Sequence, residues 1–226
     1  SGNHDSVERL AFGSRLMESK GVHISPVYRG EVIPVSINDE YGAIDIFMLP
    51  FIKPGYVRRY FEDEEIKSYT DAMKVVISNM QINPDNRNIL VTHQFVAGAE
   101  RSESEDVSVG GIDSVDMSVF DPFDYVALGH IHGPQSIGRE TVRYCGTPLK
   151  YSFSEKNHIK SVTIIELYEK GNINIRTIPL IPRYDMREIK GTYEELTDRR
   201  NYENTNKEDY LRVILTDEDY IPDVMS

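Results

Sequence analysis

Tyr125-Val126-Ala127-Leu128-Gly129-His130-Ile131-His132-Gly133 is a short apolar run that ends in glycine and two histidines. A continuous apolar run of this length, bounded by glycine, predicts a buried strand followed by a tight exit loop. Histidines two apart in extended backbone leave on the same face. The pair is therefore expected at one rim of a sheet, with Gly129 and Gly133 letting the backbone turn closely. Working outward, Ile89-Leu90-Val91-Thr92-His93 repeats the design with one histidine at the strand exit, and Gly2-Asn3-His4-Asp5 is a third polar turn. His93 taken alone reads equally well as a core histidine satisfied by a hydrogen bond. A His-x-His pair behind an apolar strand does not.

These motifs offer neutral imidazoles and one amide oxygen, without cysteine. Such donors form a borderline-hard set suited to manganese, iron or zinc. Asn3 supplies a neutral oxygen, which leaves a bound cation more Lewis-acidic than a carboxylate would. His4 cannot easily share that cation, because adjacent side chains diverge. Its expected role is to stabilise charge on a phosphoryl oxygen or to protonate a leaving alkoxide. Asp5 is expected to cap the following helix or orient the loop, and His23 and His158 have no ligand-like context.

Between the motifs the pattern is that of an α/β protein. Ser6 to Lys20 predicts one helix, with Val7, Leu10, Ala11, Ser14 and Met17 as an inward stripe and Phe12 and Leu16 on the opposite side. Val32 to Ile37 and Ala43 to Leu49 predict strands, the second nearly continuously apolar. Tyr69 to Met80 predicts a helix, with Ala72, Val75, Val76 and Met80 on one face. A polar loop from about Ala97 to Val115, containing Gly110-Gly111, separates the second and third motifs. Ser161 to Tyr168 and Ile173 to Leu180 predict a hairpin across Lys170-Gly171-Asn172. After Pro182 the pattern changes, with a short helix near Tyr193 to Leu196 and a strand at Tyr210 to Leu215.

At 226 residues the chain can bury a substantial core. Its longest apolar stretch, Ala43 to Ile52, is interrupted by Asp45 and Pro50 and is too short to span a bilayer. Cys145 is the only cysteine, which rules out an internal disulfide and favours a reducing compartment. Lys plus Arg number 25 against 37 for Asp plus Glu, a net charge of -12. That balance excludes nucleic-acid binding by blanket electrostatics, so any DNA contact must be local or metal-mediated. The acidic clusters Glu62 to Glu65, Glu100 to Asp106 and Glu203 to Asp219 read as solvated loops and faces. Arg58-Arg59-Tyr60-Phe61 and Lys150-Tyr151 combine charge with rings that could stack on bases.

The order of an Asn-His-Asp turn, an isolated histidine and a Gly-His-x-His turn resembles the calcineurin-like metallophosphoesterase superfamily. Phe123 to Gln135, Arg143-Tyr144-Cys145-Gly146-Thr147-Pro148-Leu149 and Ser152-Phe153-Ser154-Glu155 further resemble its bacterial SbcD nuclease-subunit branch. That resemblance implies an α/β/β/α sandwich for residues 1–182, as the C-terminal two-thirds of a nuclease domain, and the start of a small α+β DNA-capping domain over 183–226. It implies a metal-dependent nuclease of DNA repair, recombination and replication, acting on duplex ends and single strands. It also implies two manganese ions, an SbcC-type coiled-coil ATPase partner, and a cytoplasmic, nucleoid-associated setting without a membrane anchor. By motif position, Asn3, His93 and His130 would hold one metal, His132 would ligate the other, and His4 would be the transition-state acid. The superfamily's earlier Asp-x-His and Gly-Asp-x-x-Asp motifs do not occur ahead of Asn3. The chain, which opens without Met, is therefore expected to be part of a longer polypeptide and to have little hydrolytic activity alone.

Two other functions use the same residues: hydrolysis of nucleotides or small phosphodiesters, and a non-catalytic scaffold that keeps the fold without the metals. In the resemblance the helix over 6–20 also joins two subunits, which fits the second apolar stripe. Leu16→Asp is expected to weaken self-association while leaving the monomer folded. Unchanged sedimentation would contradict this.

Overall fold

The computed structural model describes residues 1–105 and 113–219, with the side chain of residue 15 left aside. Gly110-Gly111 lies outside the described residues. The chain opens with α1 (Val7–Ala11) and α2 (Ser14–Glu18), followed by the hairpin of β1 (Val35–Asp39) and β2 (Gly42–Leu49). Two helices, α3 (Pro54–Val57) and α4 (Tyr69–Ser78), lead to β3 (Arg87–His93), β4 (Tyr125–Gly129), β5 (Gln135–Ile137) and β6 (Arg139–Tyr144). These strands make one six-stranded sheet in the order β1-β2-β3-β4-β6-β5. The four inner strands run parallel and both edge strands antiparallel. This is the mixed α/β architecture expected from strands alternating with helices.

Alternation along the strands decides which side is the core. Phe47, Leu49, Leu90, Val126, Leu128, Val142 and Tyr144 share one face, where they join Ala72, Met73, Val76 and Ile77 of α4 with Phe120 and Phe123. Each large side chain so buried contributes roughly 1.5–3 kcal/mol. α4 begins at a capping box, in which Ser68 and Asp71 each accept from the other's backbone N–H. The opposite face is more open, Val91 being 42% exposed in the middle of the sheet. Among the described residues no helix is long and apolar enough to cross a membrane.

Beyond the sheet, β7 (Ser161–Leu167) and β8 (Ile173–Pro179) form the expected hairpin. Its turn is tied to the sheet by Arg87, which donates to the carbonyl of Tyr168 and pairs with Asp39. The last segment is a β-α-β unit. β9 (Met186–Gly191) lies parallel to β10 (Tyr210–Leu215), with α5 (Tyr193–Thr197) and α6 (Arg199–Tyr202) between them. Lys150–Asp185 and Lys156–Glu188 ion pairs link this unit to the preceding one.

Three expectations need correction. The helix over 6–20 is two five-residue helices, because Phe12 is extended and Gly13 takes φ +75°. Phe12 and Leu16 are indeed outside, at 87% and 74% exposed, whereas Met17 of the inward stripe is 38% exposed. The first strand starts at Val35 and not Val32, consistent with Pro34 lacking a backbone donor. β9 has no counterpart in the sequence pattern, since its alternating charges carry little strand signal until β10 is alongside.

Tyr144 is fully buried, and its hydroxyl accepts from Val96 N–H at 2.8 Å while donating to Gln94 C=O at 2.7 Å. Tyr144→Phe leaves both backbone groups without that partner. It should cost about 1–3 kcal/mol in urea unfolding. A midpoint equal to wild type would contradict the assignment.

Candidate metal centre

Parallel pairing of β3 with β4 sets His93 directly opposite Gly129. Both motifs therefore emerge at the carboxyl ends of neighbouring strands, where open α/β sheets place their ligands. The first motif is brought to the same rim by its flanks. Phe51 N–H, just beyond β2, donates to Ser1 C=O, and the Ser1 hydroxyl donates to Pro26 C=O. Asp5 orients the turn by accepting from Gly2 N–H at 2.6 Å, and the helix cap is Ser6.

The result is a close group of three donors. Asn3 Oδ1 lies 3.0 Å from His93 Nε2 and 3.4 Å from His130 Nδ1. The two imidazole rings are 5.3 Å apart at 76°. Donor atoms sharing one cation at about 2.1 Å each lie roughly 3.0–3.4 Å apart for inter-ligand angles between square and tetrahedral. The separations of Asn3 Oδ1 from the two imidazole nitrogens fall in that range. Among the described residues no three His, Cys, Asp or Glu side chains converge in this way. Here the third donor is a carboxamide.

Glycines make the approach possible. A Cβ on Gly2 would fall 2.8 Å from His93 Cε1, and one on Gly129 would fall 2.7 Å from His93 Nδ1. Gly129 was expected to supply an unusual turn, and so was Gly133. Neither has a positive φ: Gly129 makes room for His93 and Gly133 for His158. The left-handed residue is His130 itself, at φ +103°. A non-glycine there stores strain of about 1–3 kcal/mol, a feature that clusters at functional sites.

Burial lowers the pKa of both imidazoles. His93 falls from 6.5 to about 4, with the neighbouring His130 adding to the effect of burial. For His130 burial is opposed by Glu105 but still prevails. Both rings are thus neutral near pH 7 and keep a lone pair for a cation.

His132 lines the same pocket of about 260 Å³, together with His4, Gly146, Thr147 and Pro148. Its Nδ1 faces Ser104 Oγ at 2.9 Å and Glu155 Oε1 at 3.1 Å. Its backbone N–H donates to Glu105 Oε1 at 2.6 Å. Burial would raise the Glu155 carboxyl, yet hydrogen bonds from Lys160, Ser104 and His132 hold it at about 2. His4 is exposed at the pocket wall. Tyr151, 57% exposed, sits edge-on to His132 with ring centres 5.6 Å apart. Its neighbour Lys150 is engaged by Asp185 and by the carbonyl of Lys156. None of Arg58, Arg59, Tyr60 and Phe61 lines the pocket.

Glu105 and Glu155 are carboxylates beside His132 that the sequence pattern does not single out. Glu105 belongs to the acidic run read as solvated, but it is only 6% exposed and Glu155 is wholly buried. The signal available was the Ser152 to Glu155 segment, which carries part of the family resemblance but suggests no role by itself.

The depressed His93 pKa fixes the sign of a pH effect. The folded state binds a proton at this site more weakly than the unfolded chain, so stability is full above pH 6.5 and is lost as pH falls toward 4. His93→Gln should flatten that part of the stability profile in chemical denaturation across pH 4–7. A variant profile parallel to wild type would contradict it.

The SbcD_C family, described as the type 5 capsule protein repressor C-terminal domain, matches residues 182–226. Two curated relatives, each the SbcD component of a nuclease SbcCD, are 35% identical to the chain. That of Staphylococcus epidermidis aligns with 100% of this chain and 60% of its own length. That of Staphylococcus saprophyticus subsp. saprophyticus aligns with 99% and 59%. The chain thus spans about 60% of the length of the curated relatives it matches. On identity sustained from its first motif to its last strand, the chain belongs to the SbcD nuclease-subunit family.

Proposed function

We propose that this chain carries part of the active centre of a manganese-dependent DNA nuclease that cleaves phosphodiester bonds in DNA repair and recombination, working with an SbcC-type ATPase. The observation that carries this reading is that Asn3 Oδ1 lies 3.0 Å from His93 Nε2 and 3.4 Å from His130 Nδ1. The similarity to proteins named for the nuclease SbcCD supports the substrate and the partner.

Asn3, His93 and His130 would hold one divalent ion and His132 would hold a second through Nε2. Such ions supply Lewis-acid polarisation of a phosphoryl oxygen and a nucleophile at neutral pH. The chain's own residues do the rest. His4, exposed at the pocket wall, would give its proton to the departing sugar oxygen as the P–O bond breaks. Neutral rings at His93 and His130 avoid repelling the cation, and burial keeps them so. Four protein ligands are too few for two ions. The carboxylates still needed would come from outside the described residues, and without them the chain would hydrolyse little or nothing. With a net charge of -12, the chain would engage DNA through the metal centre and local contacts only.

The intact protein containing this chain should degrade duplex DNA with manganese and lose that activity with a chelator. His4→Ala should lower kcat by about 10²- to 10⁴-fold while manganese binding persists. Hydrolysis of bis-nitrophenyl phosphate with duplex DNA left untouched would overturn the nuclease reading in favour of small phosphodiesters.

A further inference from the structure

Behind His132 lies a buried polar group that the proposed chemistry does not use. Glu155 is 0% exposed and Lys160 is 4% exposed. Lys160 Nζ donates to Glu155 Oε2 at 2.6 Å, to His132 C=O at 2.8 Å and to Thr147 Oγ1 at 2.9 Å. Ser104 donates its hydroxyl proton to Glu155 Oε1, the oxygen that also faces His132 Nδ1 at 3.1 Å. A carboxylate receiving an ammonium and a hydroxyl is ionised and can only accept. Ser104, having given its proton to Glu155, also presents only lone pairs to Nδ1, at 2.9 Å. Both neighbours of Nδ1 are therefore acceptors, and the ring must carry its proton there.

We infer that Glu155 is a positioning residue that fixes His132 in the Nδ1–H form and aims a bare Nε2 lone pair into the pocket, while Lys160 neutralises the buried carboxylate and anchors the same residue's carbonyl. The inference rests on the reading of His132 as a metal ligand. It goes beyond that reading by assigning the group that sets the ring's tautomer and orientation. A carboxylate behind a ligating imidazole commonly governs affinity and rate in this way. Lys160 explains how so buried a place tolerates the charge. One ammonium holds the carboxylate, the histidine backbone and Thr147, so the ring and its supporting loop are fixed together. A merely structural ion pair would have no need to reach the ligand at two points.

The test uses the intact protein with ¹⁵N-labelled histidine. Metal-free wild type should show His132 as a single Nδ1–H tautomer. Glu155→Leu combined with Lys160→Met removes both charges at once, avoiding an isolated buried ion. Ser104 can then donate to Nδ1, so the ring should shift toward Nε2–H. Affinity for manganese alone should fall about 10- to 100-fold, with kcat on DNA falling while KM changes little. Ser104→Ala leaves Glu155 as the acceptor and should keep the wild-type tautomer, which serves if the double variant fails to fold. An Nε2–H or evenly mixed ring in wild type would overturn the inference, as would a folded double variant with unchanged manganese affinity. If wild type binds manganese yet leaves DNA intact, the nuclease reading fails while the tautomer and affinity results still decide this one.

Discussion

The register of β3 against β4 is the constraint on which the site depends. Because His93 is paired with Gly129, its ring lies over a residue with no side chain, where a Cβ would come within 2.7 Å of Nδ1. A Cβ on Gly2 would likewise come within 2.8 Å of the same ring. The imidazole is thus packed close to the backbone of two glycines, and that of Gly129, pinned by a sheet ladder, moves little. A slip of one residue between these strands would send every apolar side chain to the wrong face. The burial of Leu90, Val126 and Leu128 in the core is therefore also what holds the histidine at the rim.

Charge is arranged by the same logic. The chain is acidic, at a net charge of -12, yet the group formed by Asn3, His93 and His130 contains no carboxylate. Its rings are kept neutral by burial. The carboxylates nearest the pocket are turned inward to hold His132, Glu105 through its backbone N–H and Glu155 through its ring. Glu155 in turn is matched by Lys160. Isolated burial of either ion would cost several kcal/mol, and removing one partner of such a pair typically destabilises by about 3–5 kcal/mol. Strain adds to this picture at His130, whose φ of +103° aims its ring at Asn3. Pairing, burial and strain act on three successive segments of one rim.

Much of this was legible in the residues. The strands ending at His93 and Gly129, the α4 helix, the hairpin across Lys170-Gly171-Asn172 and the strand Tyr210–Leu215 follow from periodicity and turn chemistry. The convergence of Asn3 with His93 and His130 followed from each motif sitting at a strand exit or a turn. What was hidden depended on contacts distant in sequence. Glu105 stands in an acidic run, and only its partners Ser102 and His132 distinguish it from solvated neighbours. Glu155 is recognised by its place between Ser104, His132 and Lys160. The break between α1 and α2 comes from a single glycine that local pattern tolerates in a helix, and β9 exists because β10 pairs with it. Steric preference points to Gly129, beside His130, as the left-handed residue, but it is a prior that packing can override.

One carboxamide and two imidazoles are proposed to share a cation. Anomalous diffraction from crystals of the intact protein soaked in manganese tests it most directly. The expected result is a peak bonded at once to Asn3 Oδ1, His93 Nε2 and His130 Nδ1. A manganese peak bound elsewhere, with these three side chains placed as described and free of metal, would contradict it.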